Sequence, residues 1–150
     1  MSITRVLPDH HKNCDRLFAL AEESAMAARW PQCAEALQRF RAEIGAHFAT
    51  EEQVLFPAFE AVSGSRMGPT QMMRLEHAQM NTLMAHLDHA VTARDADGFA
   101  GTAETLLILM QQHNMKEENI LYPMCDQALV GQAMSLDEEL AKRVAAPCPT

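Results

Sequence analysis

Apolar residues recur at three- and four-residue intervals along almost the whole chain, as in Leu17, Leu20 and Ala21 followed by Ser24. No segment shows sustained period-two alternation, so helices are expected and strands are not. Punctuation divides the pattern. Pro8-Asp9 opens a first helix that is expected to run to Ala28. Trp30-Pro31 breaks the chain, and a second helix is expected over 32–62, with Pro57 kinking or interrupting it. Residues 63–69, Ser-Gly-Ser-Arg-Met-Gly-Pro, form a loop by composition. A third helix is expected over 70–94, a turn at Asp95–Gly98, and a fourth helix over 99–129 that contains Pro123. Ser135-Leu-Asp-Glu138 has the form of a capping box for a short fifth helix to Ala145. Residues 1–146 form one domain in this reading, and 147–150 a loose tail.

The chain also repeats itself. His11, His47 and Glu51 return as His77, His113 and Glu117, each 66 residues later. Their surroundings return with them: His47-Phe-Ala-Thr-Glu51-Glu52-Gln-Val-Leu55-Phe56-Pro57 lies over His113-Asn-Met-Lys-Glu117-Glu118-Asn-Ile-Leu121-Tyr122-Pro123. His11 and His47 are equidistant from residue 29, beside Trp30-Pro31, and His77 and His113 from residue 95. In each antiparallel hairpin the lone histidine and the His-x-x-x-Glu pair therefore stand at one height, roughly 27 Å from the turn at 1.5 Å per residue. Glu51 and His77 are likewise equidistant from residue 64, inside the central loop. The fold class that follows is all-α: an up-down-up-down four-helix bundle of two duplicated hairpins plus a short C-terminal helix.

Composition narrows the picture. With 150 residues, 48% apolar, the chain builds one substantial core. Aromatics at 5% and abundant Ala, Leu, Met and Glu favour helix over sheet. A formal charge of −8 offers nothing to nucleic acid or an anionic membrane surface. The longest strictly apolar run found, Leu106–Met110, is far too short to span a bilayer, and no signal-peptide run opens the sequence; a cytoplasmic protein is expected. Cys14, Cys33, Cys125 and Cys148 form no CxxC pair and are expected as reduced, mostly buried thiols.

The repeated residues carry the chemistry. Histidine and glutamate at i and i+4 project from one helix face a turn apart. Two such pairs with two lone histidines supply four imidazoles and two carboxylates, a donor set suited to two transition-metal ions. The metal-ligand candidates are His11, His47, Glu51, His77, His113 and Glu117. His10 lies about 100° around the helix from His11 and is expected at the surface. Glu52 and Glu118 share no face with the residues they follow and are expected solvated or supporting the ligands. Asp15 and Asn81, each four residues past a lone histidine, are either outer partners of the imidazoles or plain surface residues. Tyr122 and Phe56 occupy equivalent positions and are expected as core packing. His86 and His89 have no repeat partners and are expected at the surface, and the 11 methionines fill core space. No histidine has Glu three residues before it, and no His-Glu-x-x-His occurs, so ferritin-like and zinc-protease sites are set aside.

On Asp9-His10-His11-Lys12, Ala46-His47-Phe48-Ala-Thr-Glu51-Glu52, Leu75-Glu76-His77 and Gln112-His113-Asn-Met-Lys-Glu117-Glu118, the chain resembles hemerythrin-like, or HHE cation-binding, domains over about residues 7–130. The resemblance implies a non-heme centre of two iron ions with an oxo, hydroxo or water bridge. One iron would take His11 and His47 and the other His77 and His113, with Glu51 and Glu117 bridging. Where oxygen-carrying invertebrate hemerythrins have a second histidine one turn before the His77 position, Met73 stands here, and their final His-x-x-x-x-Asp is His113-x-x-x-Glu117. The four-histidine, two-glutamate set is similar to that of bacterial iron-centre repair proteins, whose domain follows a cysteine-bearing N-terminal one. The expected function is binding or sensing of a small molecule such as O2 or NO, or of iron status. The alternatives are a di-iron enzyme of oxidative or nitrosative stress (peroxide or NO turnover, iron delivery to damaged iron–sulfur centres) and a purely structural metal site. Imidazole and carboxylate suit iron, with manganese or zinc as substitutes.

Overall fold

The computed structural model describes residues 3–144. Helices α1 (Ile3–Met26), α2 (Trp30–Thr50), α3 (Phe56–Ser63), α4 (Pro69–Ala93), α5 (Ala96–Lys116), α6 (Tyr122–Ala128) and α7 (Ala133–Val144) account for most of them, and no strand occurs among the described residues. A π-helical turn, Glu51–Leu55, joins α2 to α3, and another, Glu117–Leu121, joins α5 to α6. Four rods result, and α1 packs along α2 as α4 packs along α5. The two hairpins meet through α1 with α5 and α2 with α4, and α7 lies over α1 and α2. This is the expected up-down-up-down bundle with a short C-terminal helix.

The duplication extends to the element boundaries. Ile3 and Pro69, Trp30 and Ala96, Glu51 and Glu117, and Phe56 and Tyr122 each open equivalent elements 66 residues apart. Both hairpin tips turn on a non-glycine residue in the left-handed region, Ala28 (φ 57°) and Arg94 (φ 53°), again 66 apart. The central loop instead uses Gly64 (φ 75°) to close α3, where the missing Cβ removes the steric cost.

Several expected boundaries shift for local reasons. α1 begins at Ile3, so Pro8 lies inside it. Leu7 is fully buried, and its packing holds the turn ahead of Pro8 in helical form despite the lost N–H. The chain breaks at 27–29 as expected, but Trp30-Pro31 opens α2 instead of preceding it, because Pro at the first turn needs no hydrogen bond. Gly98 falls within α5, since Asp95 is the N-cap and its Oδ1 accepts from Gly98 N at 3.0 Å. α7 starts two residues before Ser135, so the Ser135–Glu138 capping box is not used. The tail at 147–150 and Cys148 lie outside the described residues; Cys14, Cys33 and Cys125 are free and buried, as expected.

Pro57 and Pro123 each follow a π turn that interrupts the rod, as expected for Pro57. Phe56 N–H bonds to Glu51 O, and Tyr122 N–H to Glu117 O, five residues back. The wider turn ends one ladder of bonds and begins the next with proline in its first turn, where no N–H is required.

Two apolar clusters fill the bundle. One, toward the hairpin tips, includes Phe18, Phe40, Phe48, Met84, Leu87 and Phe99. The other, under α7, includes Leu7, Leu55, Phe56, Met73, Leu121 and Leu140. Between them lies a layer of buried histidine and glutamate.

Candidate metal centre

Each hairpin contributes one histidine from its first rod (His11 on α1, His77 on α4) and a His–Glu pair from its second (His47 with Glu51, His113 with Glu117). The glutamates open the π turns, immediately past the ends of α2 and α5. All six side chains are buried, with Glu51 and Glu117 fully so. The structure brings all six together. Donor atoms of Glu51, His77, His113 and Glu117 lie within 4.8 Å of one another, and those of His11, His47 and Glu117 likewise.

The carboxylates stand between the histidines. Glu51 Oε1 is 3.1 Å from His77 Nε2, and its Oε2 is 3.6 Å from His47 Nε2. Glu117 Oε1 is 3.1 Å from His11 Nε2 and 3.3 Å from His113 Nε2. Every ligand-candidate histidine thus turns Nε2 inward. Its outer nitrogen, Nδ1, is held from behind. His11 Nδ1 donates to Glu118 Oε2 at 2.7 Å, His77 Nδ1 to Glu52 Oε2 at 2.6 Å, and His113 Nδ1 to Glu76 Oε1 at 2.8 Å. A carboxylate behind Nδ1 fixes the tautomer that leaves a lone pair on Nε2. Glu52 and Glu118 are these supports, each reaching across to the opposite hairpin. Asp15 and Asn81 are exposed, and Glu118 and Glu52 take the nitrogens they were candidates for.

Two expectations fail. His10 is not at the surface: it is buried, its ring stacks on His47 at 5.1 Å, and the two Nδ1 atoms are 2.8 Å apart. Its Nε2 faces Glu43 Oε1 at 3.4 Å. The helical wheel put His10 off the His11 face, which is true, but that direction points at α2 and not at water. Tyr122 is more than core packing. Its hydroxyl lies 2.6 Å from Glu51 Oε2 and 2.9 Å from Glu117 Oε1, sharing one proton between two carboxylates. It is also 3.3 Å from His47 Nε2 and 3.4 Å from His11 Nε2. In an ideal α-helix residue i+5 points about 140° away from residue i. The π turn closes i to i+5 and brings Tyr122 back over Glu117. The signal available in the sequence was Pro123 following a Glu by six residues. His86 and His89 are exposed, as expected, and Met73 is buried beneath the site.

Electrostatics follow from packing positive and negative partners in a dry layer. Burial opposes charge on His11, but the hydrogen bond and charge of Glu117 outweigh it and raise the ring to about 9. His77, against burial, is raised to about 9 by the close carboxylates of Glu51 and Glu52. Burial also opposes charge on Glu51, yet the histidines around it, His47 first, hold it well below the usual carboxylate range. Burial, then the charges of Glu117 and Glu51, push the Tyr122 phenol up. Burial, then the neighbouring His47 and His11, bring His10 down to about 4.

Four buried atoms of the ligand candidates, Glu51 Oε1, Glu117 Oε2, His77 Nε2 and His113 Nε2, make no hydrogen bond, and neither does His10 Nε2 at the edge of the layer. Buried polar atoms without partners are costly, and here they are imidazole nitrogens and carboxylate oxygens aimed at one another. A cation is the partner such a set fits. The hemerythrin HHE cation-binding domain matches residues 2–125 of the chain. No curated protein and no solved structure matches it. The matched span covers both hairpins and every residue of the buried His/Glu layer, and the chain belongs to the hemerythrin HHE cation-binding family.

Proposed function

We propose that the layer holds two iron ions, one on His11 and His47 and one on His77 and His113, with Glu51 and Glu117 between them. The observation that carries this is the convergence of inward Nε2 atoms, three of them backed by carboxylates, on two carboxylates that each keep one buried oxygen without a hydrogen bond. Iron held by these residues would supply redox chemistry and affinity for a small neutral molecule such as O2 or NO. The chain's own residues do the rest. Phe48 stacks on His77 at 3.8 Å and Phe56 at 5.9 Å, and this apolar wrapping keeps water from the ligands. No helix among the described residues is long and apolar enough to cross a membrane. We read the protein as one that binds or senses a small molecule.

A second reading, turnover of peroxide or NO, is favoured by one observation: Tyr122 holds a proton at the centre of the layer. Among the described residues a thiol-based reaction has no such support, because Cys14, Cys33 and Cys125 are buried and burial raises all three, Cys125 to about 12.

The test is to load the chain with Fe(II) without oxygen, count the metal, and record optical and Mössbauer spectra before and after O2 or NO. Two irons per chain and new charge-transfer bands with either gas are expected. Bound iron with spectra indifferent to both gases would leave only a structural role.

A further inference from the structure

The two halves of the layer are unequal, and the inequality has a residue behind it. Glu76, which backs His113, has His10 as its repeat partner, and His10 backs His47. Three ligand-candidate imidazoles therefore lean on a carboxylate, and the fourth leans on another imidazole. For His47 Nε2 to face inward unprotonated, His47 Nδ1–H must donate to His10 Nδ1. His10 then carries its own proton on Nε2, toward Glu43. A neutral acceptor draws less on the N–H than an anion does, so His47 is the poorest electron donor of the four. The carboxylates point the same way: Glu51 Oε1 is 3.1 Å from His77 Nε2, whereas Oε2, the oxygen that accepts from Tyr122, is 3.6 Å from His47 Nε2. Donor atoms of both glutamates converge with His77 and His113, and Glu117 converges with His11 and His47. The ring neighbours also differ: His77 lies between Phe48 and Phe56, while His11 has the Tyr122 ring at 5.9 Å.

We propose that His10, standing where the duplication places Glu76, makes the two metal positions unequal: a divalent transition-metal ion binds first and tightly at Glu51, His77, His113 and Glu117, and a second binds more weakly and exchangeably at His11, His47 and Glu117. His10 is a positioning residue, acting through His47. The proposal rests on the two-metal reading above, and the experiment separates the two.

The metal-free chain is titrated with Co(II), followed by calorimetry and by the d–d absorption of bound cobalt. Two ions per chain should enter in two resolved steps, about 10- to 100-fold apart, the span that outer partners of metal-bound histidines typically govern. His47→Gln should remove the weaker step alone, and His113→Gln the tighter. His10→Glu should close most of the gap by strengthening the weaker step. It should also move the paramagnetically shifted His47 ring N–H proton, which a merely structural role would leave in place. Glu76→Gln keeps the shape and an acceptor oxygen but loses the charge, and should weaken the tighter step by about 10- to 100-fold. If His10→Glu does not fold beside Glu43, Glu76→Gln decides alone. Two ions entering the unaltered chain with equal affinity would overturn the inequality, as would a gap unmoved by Glu76→Gln. One ion or none per chain would overturn the two-metal reading instead.

Discussion

Glu51 and Glu117 are fully buried carboxyl groups, and their tolerance of burial depends on the histidines and the phenol around them. Removing one partner of such a set leaves the others charged and dry, which costs more than the pair contributes. Glu51→Ala is expected to destabilise the metal-free chain by about 3–5 kcal/mol and to bind less metal. Urea unfolding with metal analysis checks this, and an unchanged midpoint with full metal content would contradict it. Tyr122→Phe asks a narrower question. Phe56 stands at the repeat position, so a phenyl ring suits the backbone there. The variant loses only the shared proton, leaving two carboxylates short of a donor, and should cost the metal-free chain about 1–3 kcal/mol while keeping its metal. A metal-free variant as stable as its parent would mean the phenol bond contributes nothing net. The six ligand candidates were legible because like residues recur at one offset. Tyr122 and His10 were not, because each depends on what a regular wheel omits: a local change of helix type, and the identity of the neighbour a face meets.

At the scale of elements, the hairpins followed from punctuation, and their exact ends did not. Proline and aspartate marked position 8 as a helix start, yet α1 begins five residues earlier. The deciding contact is tertiary. Leu7 packs fully buried in the cluster under α7, and no local propensity reports that. Leu7→Ala should therefore cost about 2–5 kcal/mol, the range for truncating a buried leucine. It should also loosen the turn ahead of Pro8, read as faster amide exchange confined to residues near the start of α1. Global loss of stability with no such local change would mean that Leu7 serves the core alone. The tips show the reverse case: Ala28 and Arg94 adopt left-handed geometry that neither residue type advertises, and only their shared offset from the repeat marks them as equivalent.

For the whole molecule the buried layer sets how stability answers pH, and bound metal should remove the loss on the alkaline side. Without metal, His11 and His77 titrate near 9 in the folded chain against 6.5 unfolded. Their contribution is complete below 6.5 and is lost as pH rises through 9. His10 and Glu51 act from the other side. His10 is held neutral to about 4, so unfolding takes up a proton as pH falls below 6.5; Glu51, shifted downward, loses its contribution in acid. The metal-free chain should therefore be most stable near pH 6 and weaken in both directions. A cation must displace the protons on those same imidazoles, so its affinity grows across the window in which the metal-free chain weakens. The difference in melting temperature between zinc-loaded and metal-free protein should widen steadily from pH 6.5 to 9. A gap that stayed constant across that range would mean the imidazolium protons and the cation do not compete for the same nitrogens.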